Sequence, residues 1–261
     1  MTRNVTAFQR DIGLLMAAIL LTGATGVTAD GGPFQQKIDA AARSEQYAFV
    51  LFYSQNDAAT QKMHGVLKET LSNRNDATAV SVNISDANEA TLIEQFDATR
   101  MPMPAVAVIA PNGAVTGVYP QQVTTPQLTA SIVSSGQAAC LKALQDQKIV
   151  LLCVHPEGTT SIPKGVQDFQ ADALFRGRTQ LVSVQASDQT EQKFLRQLQV
   201  RTDQPSTLTA FMAPPGVMLG VYNAKVTQDV LAQKLAAAGK CCDDPKCKHH
   251  KGAAGQSSTR R

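Results

Sequence analysis

The sequence predicts an α/β protein built from two similar domains, and three observations lead to this prediction. Short apolar runs alternate with helical patterns along the chain. Residues 100–119 read as a buried hairpin, because the apolar run 105–110 is followed by Pro111-Asn112-Gly113 and a second apolar run. The segment APNGAVTGVYPQQVT (110–124) recurs as APPGVMLGVYNAKVT (213–227), so that Gly216 follows Gly113 by 103 residues. A repeat of this length indicates a duplicated domain rather than a solenoid unit.

The first copy, residues 30–135, has the predicted order α-β-α-β-α-β-β-α. A helix over 34–45 precedes a buried strand over 48–53, and Asp57 is the expected N-cap of the next helix. Residues with 3.6-residue spacing mark the inner face of that helix: Met63, Val66, Leu67 and Leu71. A strand over 79–84 and a helix over 89–96 lead into the hairpin. A closing helix is expected to place Leu128, Ile132 and Val133 inward.

The second copy, residues 136–239, repeats this order. We predict a helix over 137–145, a strand over 149–154, a helix with Val166, Phe169 and Ala173 inward, and a strand over 180–185. A helix lined by Phe194, Leu195 and Leu198 follows, then a hairpin over 207–222. Thr227 caps a last helix that ends at Gly239. Each domain should therefore hold a mixed sheet flanked by helices.

The two ends of the chain differ in composition from the body. Residues 1–29 have two Arg, an apolar segment from Ile12 to Leu21, and Val27-Thr28-Ala29, which is the layout of a secretory signal peptide. An uncleaved anchor is the alternative, but Gly and Thr crowd the second half of the segment. We therefore expect an exported chain, periplasmic or extracellular, with no stable membrane span after cleavage.

Charge and aromatic content argue against a nucleic-acid partner. The net charge is only +3, aromatic residues make up 5% of the chain, and Trp is absent. The positive charge is concentrated in the tail, residues 240–261, which has six Lys and Arg against two Asp. A nucleic-acid-binding domain would instead show a basic face on its body.

The order of a helix, an X-Pro bond and a buried hairpin resembles the thioredoxin fold. That resemblance implies a Cys-x-x-Cys motif after the first strand of each domain, at a helix N-terminus that lowers the thiol pKa. The matching positions here are Asp57 to Thr60 in the first copy and the segment beginning His155-Pro156-Glu157 in the second. Neither segment contains a thiol, so the sequence resembles exported tandem thioredoxin-like proteins that lack the active-site motif.

The same resemblance implies a cis-proline before the hairpin strand. Pro102 matches by its distance from the preceding helix, and Pro104 matches by its distance to Asn112-Gly113. The internal repeat favours Pro102, because Pro205 lies 103 residues later. We therefore predict structural cis-prolines at Pro102 and Pro205.

Five cysteines remain to be explained. Cys153 lies in an apolar strand and is expected to be an inert core residue, and Cys140 lies on the first helix of the second copy. The others belong to a Cys/His tail with these candidate ligands: Cys241, Cys242, Cys247, His249 and His250. Thiolates beside imidazoles could bind copper or zinc. In an exported chain the same cysteines could form disulfides, including one through Cys140.

These observations predict an exported non-catalytic binding or scaffold protein that contacts protein partners through its degenerate active-site faces. His155 with Glu157 could perform acid–base chemistry, but no nucleophile accompanies them. One alternative is a copper- or zinc-binding protein that uses the tail. Another is a thiol-disulfide oxidoreductase that uses the tail cysteines.

Overall fold

The computed structural model describes residues 32–239, so the predicted signal peptide 1–29 and the tail 240–261 lie outside the described residues. The first half contains α1 (Pro33–Arg43), β1 (Tyr47–Tyr53), α2 (Ala58–Leu71), β2 (Ala77–Asn83), α3 (Ala90–Gln95), β3 (Ala105–Ile109), β4 (Val115–Pro120) and α4 (Thr125–Ala130). The second half contains α5 (Ser135–Gln145), β5 (Ile149–His155), α6 (Lys164–Ala171), β6 (Thr179–Gln185), α7 (Gln192–Gln197), β7 (Leu208–Ala213), β8 (Val217–Tyr222) and α8 (Gln228–Gly239).

The strands form two four-stranded mixed sheets with identical topology. Their orders are β2-β1-β3-β4 and β6-β5-β7-β8. In the first sheet β1 pairs parallel with β2 and antiparallel with β3, and β5 does the same with β6 and β7. The predicted α/β class, with two mixed sheets flanked by helices, is confirmed.

The central strands carry the cores, because helices cover both faces of each sheet. All five residues of β3 are buried, and so are all seven of β5. The outer strands β4 and β8 are only partly buried, as expected for strands with a single neighbour. The buried half of each predicted hairpin is therefore its first strand.

In the first hairpin turn, Gly113 is the one residue of Pro111-Asn112-Gly113 that has a positive φ. Gly113 has φ of +80°, whereas Asn112 does not have a positive φ. The Asn112 side chain instead accepts a hydrogen bond from Ala114 N at 3.1 Å, and the strand register shifts between Val108 and Ile109. Asn112 thus stabilises the turn as a side-chain acceptor.

Two helices end two or three residues before the last inward residue that the sequence predicts. α4 ends at Ala130, because the backbone of Val133 is held by Tyr47: the Tyr47 hydroxyl donates to Val133 O at 2.7 Å and accepts from Val133 N at 3.1 Å. α6 ends at Ala171, because Asp172 is extended, and the predicted inward residue Ala173 is exposed. At the end of α4 a tertiary contact thus overrides the helical spacing.

The two sheets are joined through α5. Ala138 and Leu141 of this helix pack against the apolar cluster of the first sheet. Its last residue, Gln145, donates to Val115 O at 2.7 Å and accepts from Val115 N at 3.0 Å. This side-chain amide pairs with the backbone of edge strand β4 and covers part of its free edge.

Within residues 32–239, no helix is long and apolar enough to span a membrane.

Candidate functional site

In the first domain, the end of β1 leads into a helix cap without reactive groups. Asp57 Oδ1 accepts from Thr60 N at 2.9 Å, which confirms Asp57 as the N-cap of α2. The hydrogen bond from the Thr60 backbone amide is the largest cause that holds the pKa of Asp57 below its ordinary value. Thr60 is buried and donates its hydroxyl to Gln55 O at 2.8 Å. The polar groups of Asp57 and Thr60 therefore make the hydrogen bonds that close the turn between β1 and α2.

In the second domain, the corresponding strand end carries a buried histidine. His155 is the last residue of β5, as Tyr53 is the last of β1, and it is only 1% exposed. Its Nδ1 lies 3.1 Å from Thr207 Oγ1, and the Thr207 hydroxyl lies 3.2 Å from Ser161 O. His155 Nε2 is buried and has no hydrogen-bond partner within residues 32–239.

Burial determines the protonation of this histidine. Desolvation lowers the pKa of His155 below its ordinary value, so that the imidazole is neutral at neutral pH. Glu157 is exposed in the loop that follows, and no described contact joins it to His155. The predicted pair therefore does not form an acid–base couple: His155 is paired with Thr207 instead.

An open groove of about 500 Å³ lies beside this histidine. We call it the β5 groove, and we call residues 156–163, which form one of its walls, the β5 loop. The loop is held by Gln185 Nε2, which donates to Thr159 O at 3.0 Å, and by Gln167 Nε2, which donates to Ile162 O at 2.8 Å. The groove is lined by Pro156, Thr159, Ser161, Ile162, Pro163, Lys164, Gln167, Pro205, Ser206, Thr207 and Ala224.

The predicted cis-prolines Pro102 and Pro205 are wrong. The cis bonds are Met103–Pro104 and Pro214–Pro215. Pro104 directly precedes β3, and its carbonyl accepts from Gln121 N at 2.6 Å. The repeat misled the prediction because it matched prolines two residues too early.

Thr207 directly precedes β7, at the position that Pro104 occupies before β3. Sequence reasoning missed Thr207, although it lies 103 residues after Pro104, at the offset that the hairpin repeat had already defined. Pro205, although not cis, lines the β5 groove.

The two described cysteines are buried thiols whose pKa values are too high for them to ionise near neutral pH. Cys153 is fully buried in β5, as predicted, and burial raises its pKa to about 11. Cys140 is 2% exposed and a free thiol, and burial, together with the charge of Glu191, raises its pKa to about 12. A buried Cys140 does not favour the alternative in which it anchors the tail. Cys241, Cys242, Cys247, His249 and His250 lie outside the described residues.

Comparisons with known proteins concern the fold. No protein-family model and no curated protein matches the sequence. Oxidized thioredoxin O2 from Arabidopsis thaliana is 13% identical, over 37% of this chain and 84% of that chain, with a TM-score of 0.30. Zinc-bound human ERp44 is 12% identical, over 76% of this chain and 56% of that chain, with a TM-score of 0.32. StoA from Bacillus subtilis is 13% identical, over 33% of this chain and 82% of that chain, with a TM-score of 0.25.

Proposed function

We propose that this chain is an exported, non-catalytic thioredoxin-like protein that binds an extended segment of a partner protein in the β5 groove. The observation that carries the proposal is the replacement of reactive groups at both strand ends. In the first domain Asp57 and Thr60 form a satisfied cap, and in the second domain His155 is buried and bonded to Thr207. Binding is the function that we infer for a concave surface whose lining contains no cysteine.

The chemistry of the groove supports an extended polypeptide as the ligand. Pro156, Pro205 and Ile162 supply accessible apolar area, while three residues are exposed and carry hydroxyl groups: Thr159, Ser161 and Ser206. A peptide backbone needs this combination, since its amide groups require hydrogen-bond partners while its side chains require apolar contacts. Lys164, which pairs with Asp168, is the only charged residue of the described lining.

Two measurements test the proposal. Insulin reduction should stay at background, and fluorescence anisotropy should detect binding of an unfolded, cysteine-free polypeptide. Binding should be lost when Thr159→Arg and Ser206→Arg fill the groove, and it should survive Gln55→Arg at the corresponding strand end of the first domain. Binding that is equally strong in the groove variant, or insulin reduction that survives Cys→Ser changes at 241, 242 and 247, would refute the proposal.

Export is the second part of the proposal, and it is supported by the pattern of residues 1–29. N-terminal sequencing of the protein from the secreted or periplasmic fraction should begin at or near Asp30. A chain that retains Met1 in the membrane fraction would contradict this part and would leave the groove proposal intact.

The tail supplies the alternative function. Three thiols and two imidazoles lie within ten residues of sequence, from Cys241 to His250, which favours a soft metal such as Cu(I) or Zn(II). Within residues 32–239, no group of three or more His, Cys, Asp or Glu is placed to hold a metal ion. A metal site would therefore have to be built from the tail.

A further inference from the structure

We propose that His155 is a proton-sensitive latch on the β5 loop: the neutral imidazole holds the loop closed through Thr207, and protonation opens it. The inference concerns regulation of the β5 groove, and it rests on the proposed function only for the identity of that groove as a binding surface. The latch consists of two hydrogen bonds, the first buried and the second partly buried, that join the end of β5 to the loop.

The direction of these hydrogen bonds follows from the groups involved. Ser161 O can only accept, so the single Thr207 hydroxyl proton points to it across 3.2 Å. Thr207 Oγ1 must then accept from His155 Nδ1–H across 3.1 Å. Both bonds form together only in this tautomer, which leaves Nε2 with a lone pair and no hydrogen.

Protonation would place a hydrogen on Nε2, where the structure offers no acceptor. Nε2 has no partner among the described residues, and the side chain is only 1% exposed, so bulk water does not reach it. A buried imidazolium with an unsatisfied N–H is strongly unfavourable. The closed loop is therefore compatible with the neutral imidazole and disfavours the imidazolium.

Among residues 32–239, burial is the cause of the lowered His155 pKa, and no charged group offsets the penalty. β6 and β7 contain no charged residue, and Cys153, two residues earlier on β5, is kept neutral by its raised pKa. In the β5 loop Glu157 is exposed, and on α6 Lys164 and Asp168 pair with each other. The remaining charged groups on neighbouring segments are exposed: Arg201 and Asp203, which form an ion pair, Lys225, Asp229 and Lys234.

Solvation of the charged ring would require movement of the segment that is bonded to it through Thr207. Ser161 is the loop residue bonded to Thr207, whereas Thr159 and Ile162 are held separately by Gln185 and Gln167. Opening is thus expected to be local, around residues 160–161, with β5 and α6 in place. Such a displacement would change one wall of the β5 groove and hence its fit to a ligand.

The pH window follows from the sign of the shift. The pKa of His155 in the closed form lies below its ordinary value of 6.5, whereas a solvated His155 in the open form would titrate near 6.5. Above that pH neither form binds the proton, and the closed loop is fully favoured. As the pH falls below 6.5, the open form takes up the proton first, so acid shifts the population toward opening.

NMR of the full chain between about pH 7.5 and about pH 5 tests the latch. The amide signals of Gly158 and Ser161 should shift with the midpoint of the His155 ring, below its ordinary value. Amide exchange in the loop, corrected for intrinsic pH dependence, should rise about tenfold or more in acid. Loop signals that do not move with pH in the native chain would overturn the proposal, whether or not any variant folds.

Three variants separate the latch from general acid effects. His155→Gln should abolish the loop titration, and His64→Gln, at an exposed histidine on α2, should leave it unchanged. Thr207→Val removes the hydroxyl that accepts from His155 and donates to Ser161, so the ring should still titrate while the loop signals no longer follow it. A loop titration that persists unchanged in His155→Gln would refute the latch.

The NMR test of the latch does not depend on whether the β5 groove binds a partner. A loop that titrates beside a groove that binds no polypeptide at either pH would support the latch and refute the proposed function. A loop that does not respond to pH, beside a groove that binds polypeptide equally at both pH values, would refute the latch and support the proposed function.

Discussion

The buried carboxylate of Glu191 holds the backbone of Gly136, which lies 55 residues earlier: its Oε1 accepts from Gly136 N at 2.7 Å. Its Oε2 accepts from the Ser134 hydroxyl at 2.5 Å. The first domain repeats the arrangement, since Glu89 Oε1 accepts from Phe34 N at 2.7 Å. In each domain a buried glutamate thus binds the first turn of the first helix.

Both carboxylate oxygens of Glu191 have a hydrogen-bond partner, whereas only one oxygen of Glu89 has one in the described chain. We therefore expect the two glutamates to contribute differently to the free energy of unfolding. Ser134 is the N-cap of α5, whereas Gly32 occupies that position in α1 and leaves Glu89 Oε2 without a partner in the described chain. A Cβ at Gly32 would lie 2.2 Å from Asn88 O, so serine does not fit there. Glu191→Gln should therefore lower the free energy of unfolding by about 1–3 kcal/mol, and Glu89→Gln by less.

Urea unfolding of both variants measures this difference, with Glu69→Gln, at an exposed position on α2, as the control. Equal losses for Glu89→Gln and Glu191→Gln would show that the Ser134 hydrogen bond contributes nothing to stability.

The central strands should not tolerate a charge. Val108 in β3 and Phe211 in β7 are both 0% exposed, so Val108→Asp or Phe211→Asp would bury an unpaired carboxylate, at a cost of about 3–5 kcal/mol. Each variant should lose cooperative melting of its own domain in circular dichroism. Val118→Asp on the edge strand β4, where the side chain is 45% exposed, is the matched control and should melt like the native chain. Native-like melting of Val108→Asp would contradict the buried position of β3.

Cys140 and Cys153 should resist alkylation in the folded protein. Burial raises the pKa of Cys140 to about 12 and of Cys153 to about 11, so the reactive thiolate is scarce at pH near neutral. Peptide mass spectrometry after iodoacetamide treatment should show labelling at least about a hundredfold slower than in urea. The tail cysteines provide the internal comparison. Rapid labelling of Cys153 in native buffer would show that β5 opens readily.

The tail should account for any binding of soft metal. Cys241, Cys242 and Cys247 suffice for Cu(I), whereas Zn(II) would also recruit His249 or His250. Titration of the reduced chain with Cu(I) against a competing chelator should give an affinity that is lost on truncation after Gly239. Affinity that is unchanged by truncation would exclude the tail as the ligand, and the binding-protein proposal would stand alone.

The sequence alone determined the element order, the internal repeat and the buried central strands. These features follow from local periodicity, since a run such as residues 105–109 is apolar at every position only if both faces of the strand are covered. The cap at Asp57 was equally local, because the side chain bonds to an amide three residues away. The repeated glutamates were also within reach: Ser85-Asp86-Ala87-Asn88-Glu89 and Ser187-Asp188-Gln189-Thr190-Glu191 share their spacing.

Only the tertiary structure decided the rest, because the remaining features depend on residues far apart in sequence. The end of α4 is determined by Tyr47, 86 residues before Val133, and the partner of His155 is Thr207, 52 residues later rather than the nearby Glu157. The cis bond at Pro104 instead of Pro102 lies where β3 begins, a boundary that the repeat did not define. Burial is likewise a property of the assembled sheet, and burial is what lowers the pKa of His155 and leaves its Nε2 without a partner among residues 32–239.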